Sequence, residues 1–152
     1  KSLLRHKLAV SSLAELSSGG WQSVIPDSEA DVKKVKRIVL CSGKVYYDLL
    51  EQVRAEKQDN TALIRIEQLY PFPTSELTAQ LTRYPKVKDI VWCQEEPKNQ
   101  GAWYCTQHHL LSCVAKSQTV HYVGRPASAA PAVGSPLVHA QEQQMLVKEA
   151  LN

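Results

Sequence analysis

Two adjacent carboxylates, Glu95 and Glu96, follow an apolar segment of the chain, and a Pro-Lys-Asn-Gln-Gly loop comes directly after them. A pair of carboxylates can carry out general acid–base catalysis when both groups reach the same substrate. Adjacent residues of an extended strand point to opposite faces of a sheet, which separates these two side chains. We therefore favour one glutamate in a local cap or pair and the other in solvent or in contact with a partner subunit. Asn99 and Gln100 are further candidates for contacts at this sheet edge or at an interface.

A second candidate for chemistry is the tripeptide Ser42, Gly43 and Lys44, which lies between a predicted strand and a predicted helix. Backbone N–H groups at the start of a helix bind anions, and Lys44 adds a positive charge. The segment is not a P-loop, because that motif has glycine where Ile38 stands and serine or threonine where Val45 stands. Its single glycine also excludes the dinucleotide-binding fingerprint. Two interpretations stay open: an ordinary strand–helix turn, or a phosphate or nucleotide contact.

Arg125 directly follows the last predicted strand. If the strands are parallel, it lies at the same sheet edge as Ser42 and Glu95. With Lys44 it could then hold a phosphate or a carboxylate through two parallel hydrogen bonds. The alternative is that Arg125 forms an ion pair that anchors a loop or joins two subunits.

Cysteine and histidine are spaced for metal binding at only one place, where Cys105 and His109 stand four residues apart and His108 lies beside them. A structural zinc site needs four ligands and a catalytic one needs three. We find no second cluster with matching spacing, so we favour burial or local hydrogen bonding and predict no metal site. None of the four cysteines forms a C-x-x-C pair, which is typical of reduced thiols in a reducing compartment.

Composition narrows the class of partner. The chain has 152 residues, 43% of them hydrophobic and 22% charged, with a net charge of +3. These values are typical of a single globular domain and do not favour nucleic acid or a membrane as the partner. The densest basic run, residues 32–37, has no interleaved aromatic residues and is most simply a solvated approach to a strand. The chain has no signal peptide pattern and no initiator methionine, so we expect a fragment or a processed product.

The elements that position these residues follow from periodicity. Residues 1–34 read as an arm that connects to a preceding domain, and residues 35–152 as an α/β domain. Within the arm, Ser12 and Glu15 match a capping box that starts a short helix, and two glycines at 19–20 end it. A short strand is predicted at 21–25.

Strands and helices then alternate four times, which predicts a three-layer α/β/α fold with a mostly parallel sheet. The last helix is predicted to bury a stripe of Ala140, Gln144, Val147 and Leu151, and Thr74 is the predicted N-cap of the second helix of the domain. Residues 125–136 are rich in proline and glycine and are predicted to be irregular. The predicted strands are 35–41, 61–69, 87–94 and 119–123, and the last two helices are 101–115 and 139–151.

Four long segments carry a resemblance to a known family. They are LCSGKVYYDLLE at 40–51, RIEQLYPFP at 65–73, VWCQEEPKNQGAWY at 91–104 and GRPASAAPAVGSPLVHAQEQ at 124–143. They closely resemble the C-terminal region of bacterial 2-oxoglutarate dehydrogenases, the thiamine-diphosphate-dependent decarboxylating components of their complexes. The resemblance implies the transketolase C-terminal type of fold and a role in oxidative decarboxylation of 2-oxoglutarate with succinyl transfer to a lipoyl group.

The same resemblance implies where the chemistry is. The family binds thiamine diphosphate and Mg²⁺ through a motif that begins Gly-Asp-Gly, which this chain lacks. Cofactor-binding and catalytic residues would therefore lie in other domains, and the chain alone would be inactive. The alternative is a free-standing α/β module that binds a phosphorylated small molecule.

For the chain itself, the resemblance implies dimerisation with a second copy, contact with dihydrolipoyl succinyltransferase, and a cytoplasmic location in a bacterium. It also implies an allosteric site for acetyl-CoA or AMP. The positions that fit such a site are Ser42, Gly43, Lys44, Arg65, Gln94 and Arg125.

Overall fold

A computed structural model describes residues 3–152, which form one five-stranded sheet with helices on both faces. Residues 1 and 2, the start of the predicted arm, lie outside the described residues. The strands are β1 (Val24–Ile25), β2 (Arg37–Cys41), β3 (Thr61–Ile66), β4 (Asp89–Gln94) and β5 (Thr119–Gly124). The helices are α1 (Leu13–Ser18), α2 (Val45–Glu56), α3 (Thr74–Thr82), α4 (Trp103–Cys113) and α5 (Pro136–Leu151), after a 3-10 turn at Leu3–Arg5.

The strand order is β1-β3-β2-β4-β5. Strands β2 to β5 run parallel, and β1 pairs antiparallel with the edge strand β3. The predicted α/β/α fold with a mostly parallel sheet is therefore confirmed. The chain leaves β2 toward one side of the sheet and leaves β4 toward the other. These neighbouring strands thus form a topological switch point, where open α/β sheets usually bind ligands.

Alternation along the buried strands divides the core into two halves. Ile38, Leu40 and Trp92 face α3 and α4, whereas Val39 and Cys93 face α2 and α5. Each apolar side chain of this kind contributes roughly 1.5–3 kcal/mol when it is fully buried. Because helices cover both faces of the sheet, the domain has a core of its own. This core fixes the geometry of the carboxyl edge, which is the edge at which the parallel strands end.

Two boundaries near the end of β3 differ from the prediction. The strand ends at Ile66 rather than at residue 69, because the N–H groups of Glu67 and Gln68 donate to the Ser23 carbonyl in the arm. Thr74 is not an N-cap. It is the first residue of α3, the cap position is Pro73, and no side chain caps this helix.

The last helix was also predicted incorrectly. It begins at Pro136 rather than at residue 139, because Ser135 caps it and proline suits the first position of a helix. The predicted stripe is wrong in its first half, where Ala140 and Gln144 are exposed. Only the second half of α5 lies on the sheet, through Leu146, Val147, Ala150 and Leu151.

The arm contributes to the sheet through β1, and its predicted capping box is confirmed by reciprocal hydrogen bonds between Ser12 and Glu15. The Asp27 carboxylate accepts a hydrogen bond of 2.8 Å from the Leu63 backbone and ties the arm to β3. Among residues 3–152, no helix has the length and apolarity needed to cross a membrane.

Candidate functional site

A cleft of about 560 Å³ opens at the carboxyl edge, between the ends of β2 and β4 and the start of α4. This is the switch point of the sheet. Ser42 and Gly43 form one wall, and Gln94 and Glu96 form another. The remaining lining residues are Leu69, Tyr70, Trp92, Gly101, Ala102, Cys105, Thr106 and His109.

The Gln94 side chain organises the floor of this cleft. It is buried, and its Oε1 accepts hydrogen bonds of 3.0 Å from the Trp92 indole and from the Trp103 backbone. The Gln94 Nε2 donates to the carbonyl oxygens of Glu96, Pro97 and Gln100 at 3.2, 3.2 and 2.9 Å. These five contacts of one amide fix the loop after β4 and the first turn of α4, so the amide is a structural group rather than a free ligand contact.

Two glycines make these loops possible. Gly101 has a φ of 64°, and a Cβ there would lie 3.0 Å from the Gln94 amide nitrogen. Gly43 has a φ of 76°, which allows the tight turn from β2 into α2. Both values fall in the left-handed region, which favours glycine over other residues.

The structure separates the two glutamates. The Glu95 carboxylate lies 3.1 Å from the Lys44 ammonium and accepts a hydrogen bond of 3.2 Å from Gln143, on the α2 and α5 side. Glu96 is exposed and lines the cleft on the α4 side. The two carboxylates therefore do not converge on one substrate position.

Lys44 lies between two carboxylates, with Asp48 at 3.0 Å in addition to Glu95. Burial alone would lower the pKa of Lys44, but hydrogen bonds to Asp48 and Glu95 raise it above its ordinary value. One ammonium paired with two carboxylates leaves a net negative charge around it, which does not attract a phosphate.

Arg125 is only 7% exposed, and its guanidinium makes contacts within the chain. Its Nε donates to Glu142 at 2.9 Å, its Nη2 donates to Gln143 at 2.9 Å, and its Nη1 donates to the Glu95 backbone carbonyl. An anion would have to replace one of these partners. The geometry is that of a loop-anchoring ion pair, which joins β5 and the loop after β4 to α5.

Arg65 lies near the carboxyl end of β3, opposite Cys41 of β2, and its side chain is on the α2 face of the sheet beside the arm. Its Nε donates to Glu67 at 3.0 Å, and its guanidinium lies 4.5 Å from the centre of the Tyr46 ring. Among residues 3–152, its two Nη atoms have no hydrogen-bond partner. Arg65 lines a second cleft together with Tyr47 and arm residues that include Leu8, Ser11 and Trp21. Arg65 therefore lines a different cleft from Ser42, Gly43 and Gln94.

The predicted contact residues of the loop after β4 pair within the chain. The Asn99 side chain both donates to and accepts from the Ser128 backbone, each at 2.9 Å. Gln100 donates to the same carbonyl at 3.1 Å. These bonds connect the loop after β4 to the long irregular segment before α5.

The thiols and imidazoles show no metal-binding arrangement. Within the described part of the chain, no three His, Cys, Asp or Glu side chains are grouped to hold a metal ion. The His109 ring stacks on Phe72 with centres 4.9 Å apart, and Cys105 is exposed. Burial raises the pKa of the Cys93 thiol to about 12, which keeps it protonated. The residues present thus do not fit a bound diphosphate and its metal.

Sequence reasoning missed Leu69 and Tyr70 as residues of the cleft rim. Both are exposed, and Tyr70 retains 91% of its accessible surface. Their signal in the sequence is an aromatic residue in the proline-rich turn that follows β3. A turn normally has polar residues, so an exposed aromatic at a carboxyl edge indicates a contact surface.

The parallel sheet, its two helical layers and the cleft at the switch point define an α/β domain of the transketolase C-terminal type. A solved structure described as "Split gene transketolase, inactive beta4 tetramer" superimposes with a TM-score of 0.52. The superposition covers 78% of this chain and 39% of the transketolase chain. Its sequence identity is 16%, so it supports the fold alone.

The sequence comparisons are more specific. The family model for the 2-oxoglutarate dehydrogenase C-terminal domain matches residues 10–151, and the chain therefore belongs to that family. It is 58% identical to the 2-oxoglutarate dehydrogenase E1 component of Haemophilus influenzae over 153 residues, and 55% identical to that of Coxiella burnetii over 154 residues. These alignments cover 100% and 99% of this chain but 16% of each relative.

Proposed function

We propose that this chain is the C-terminal domain of a 2-oxoglutarate dehydrogenase decarboxylating subunit in the bacterial cytoplasm. The subunit would oxidatively decarboxylate 2-oxoglutarate and transfer the succinyl group to a lipoyl group on dihydrolipoyl succinyltransferase. Thiamine diphosphate and Mg²⁺ would be bound by domains outside this chain. The match of the whole chain to one sixth of its relatives favours this proposal over a free-standing phosphate-binding module.

The function of the domain itself is assembly: it joins two subunits and supports the catalytic cleft. The observation that carries this proposal is the exposed apolar rim, defined as Leu69 and Tyr70. Single exposed apolar side chains are common, but an adjacent pair at the mouth of a cleft is typical of an interface. The Gln94 hydrogen bonds hold the other wall of the cleft in a fixed position, which favours a preformed contact surface.

Amide NMR spectra of the isolated chain at increasing concentration test this role. We expect shifts and broadening that centre on the rim and on the residues that line the cleft. Replacement of both rim residues, Leu69→Ser with Tyr70→Ser, should abolish them. Met145→Ser, which alters an exposed apolar side chain on α5, is the matched control and should leave them unchanged. Concentration-dependent shifts on another face, or none, would refute the proposed rim interface.

A specific observation favours a second function, the binding of acetyl-CoA or AMP. In the cleft between the arm and β3, Arg65 has Nη atoms without partners, and Trp21 is exposed. A guanidinium can bind a phosphate, and an exposed indole can stack on an adenine. Lys44 lies between two carboxylates, and Arg125 uses all three of its side-chain nitrogens within the chain. The pair of Arg65 with Glu67 involves only Nε, so we propose the cleft of Arg65 and Trp21 as the effector site.

An NMR titration with acetyl-CoA, AMP and thiamine diphosphate in turn separates the two locations. We expect either of the first two ligands to shift the amides around Tyr47, Arg65 and Trp21. Arg65→Gln should remove the response, and Arg54→Gln, at an exposed arginine on α2, should preserve it. Shifts confined to residues 42–44 and Arg125 would instead assign the effector to Lys44 and Arg125.

A further inference from the structure

The amino edge of the sheet, opposite the cleft, carries a groove with a volume of about 770 Å³. It lies between the segments that enter β2 and β4, residues 32–36 and 83–89. These segments are neighbours because β2 and β4 pair in parallel, with Arg37 opposite Asp89. We define the basic groove by these two segments.

The fold concentrates positive charge there. Six basic side chains line the groove with one acidic side chain, Asp89. The whole chain carries a net charge of only +3, so all the remaining residues together are net negative. The two basic clusters lie about fifty residues apart in sequence and become one surface only in the folded chain. The six basic residues, all exposed, are Lys33, Lys34, Lys36, Arg83, Lys86 and Lys88.

Most of these charges are available to a partner. Lys34 pairs with Asp59 at 2.8 Å, and Arg83 donates to Gln80 at 2.9 Å. Asp89 is occupied by Arg37. Within residues 3–152, the ammonium groups of the other four lysines form no ion pair and no side-chain hydrogen bond.

The segments that carry the lysines are held in place, and the floor between them is apolar. The Gln118 side chain donates to the Val87 carbonyl at 3.1 Å, and Lys36 and Arg37 donate their backbone N–H groups to the Asn60 carbonyl. The buried lining residues Val35, Tyr84 and Val87 form the floor of the groove. An apolar floor with a rim of cations is complementary to a segment that has both carboxylates and apolar side chains.

We propose that the basic groove binds an acidic, extended segment of a partner protein. The observations favour a protein over other anions. A single-stranded nucleic acid needs exposed aromatic rings for stacking, and the one aromatic residue of the groove, Tyr84, is buried. Membrane insertion needs protruding apolar side chains, and here Val35, Tyr84 and Val87 are buried. The relatives are themselves named as components of a larger assembly.

The binding experiment uses the chain and the full-length subunit that contains it. The probe is a short fluorescein-labelled peptide of alternating glutamate and leucine, and the ligand control replaces glutamate with glutamine. Fluorescence anisotropy should show binding that weakens as salt rises. We expect the triple variant Lys33→Gln, Lys86→Gln, Lys88→Gln to weaken binding at least about tenfold. All three lysines are exposed, and circular dichroism confirms that the variant is folded.

The matched control makes the same charge change elsewhere, with Lys7→Gln, Lys116→Gln and Lys148→Gln, all at exposed positions. It should weaken binding less than about twofold. Equal losses in the two variants would show a general charge effect and overturn the proposal, as would equal binding of the glutamine peptide. Tighter binding of oligothymidine or of phosphatidylserine vesicles, lost in the groove variant, would instead identify a nucleic acid or a membrane as the partner. Failure of every probe to bind would also overturn the proposal.

Discussion

At the scale of single residues, buried polar groups differ in whether their hydrogen bonds are made. The Gln94 amide uses both its oxygen and its nitrogen, whereas the buried Tyr84 hydroxyl has no partner among the described residues. A buried polar group left unsatisfied costs about 1–3 kcal/mol, whereas a satisfied one contributes to stability. The two side chains should therefore respond in opposite ways to truncation.

Replacement of Gln94 by alanine should lower the free energy of unfolding by about 3 kcal/mol, because the Trp92 indole and loop carbonyls would lose buried partners. Chemical denaturation measures this change. Gln144→Ala, at an exposed glutamine of α5, is the control and should change stability by less than about 0.5 kcal/mol. Similar effects of the two substitutions would contradict the structural role of Gln94.

Two tyrosine-to-phenylalanine substitutions form a matched pair. Tyr84→Phe removes an unsatisfied hydroxyl and should be neutral or stabilising by up to about 1 kcal/mol. Tyr122→Phe removes a hydrogen bond of 3.0 Å to the Arg125 carbonyl and should cost about 1 kcal/mol. Thermal and chemical unfolding of both variants would check the order. A larger loss for Tyr84→Phe than for Tyr122→Phe would contradict this account.

Alkaline pH should destabilise the fold. Burial raises the pKa values of Cys93 and Tyr122 to about 12, above the values of about 8.5 and 10 for unfolded chains. At a pH between the unfolded-state and native-state pKa values, the native state holds more protons than the unfolded state. The contribution of these groups to the free energy of unfolding is therefore fully present below about pH 8.5 and falls toward pH 12. Unfolding free energies at about pH 8 and pH 10.5 should show the decline, and Cys93→Ala should reduce it but not remove it, because burial also raises the pKa of the Cys41 thiol. A constant stability over this range would be inconsistent with two buried, protonated groups.

At the scale of elements, the sequence predicted which segments are strands and helices, because β2 and β4 are continuous apolar runs of strand length and the apolar residues of α3 recur at helical spacing. It could not predict what depends on tertiary contacts. The end of β3 is set by hydrogen bonds to Ser23, and the start of α5 by a Ser-Pro signal inside a low-complexity run. The N-terminal half of α5 is exposed because the helix extends beyond the sheet. The sequence of the helix does not show this.

The site could be predicted only in part for the same reason. The sequence placed Ser42, Gln94 and Arg125 at the ends of strands, and the structure shows all three near the carboxyl edge. The pair of Lys44 with Asp48, four residues on, is visible in the sequence, but the second partner Glu95 comes from the loop after another strand. The sequence also could not show that Glu142 reaches Arg125 from α5. A cation at a strand end indicates an anion site only when the carboxylates of the same chain leave some of its donor atoms free.

Arg125 is the residue that connects these elements. Arg125→Met should lower the free energy of unfolding by about 3 kcal/mol, because Glu142 and the Glu95 carbonyl would lose a buried charged donor. Arg125→Lys should recover less than half of that loss, since one ammonium cannot replace three donating nitrogens. Denaturant titration provides the measurement.

The control is Arg54→Met, at an exposed ion pair with Glu29, which should cost less than about 1 kcal/mol. Full stability in Arg125→Lys would refute the proposed geometry.

At the scale of the whole molecule, the two edges of the sheet have different surfaces. The carboxyl edge has an apolar rim and internally neutralised charges, whereas the amino edge has the basic groove with unpaired lysines. The described residues hold no grouped metal ligands. We propose that the carboxyl edge serves subunit assembly and that the amino edge binds a partner protein.

Sedimentation equilibrium of the full-length subunit tests this central claim most directly. Leu69→Ser with Tyr70→Ser should weaken the dimer at least about tenfold, because each buried apolar side chain contributes more than 1 kcal/mol. Decarboxylation of 2-oxoglutarate should fall in parallel with the dimer fraction and recover at high subunit concentration, and Met145→Ser should change neither quantity. A double variant that dimerises as tightly as the unmodified subunit would contradict the assignment of the rim to assembly.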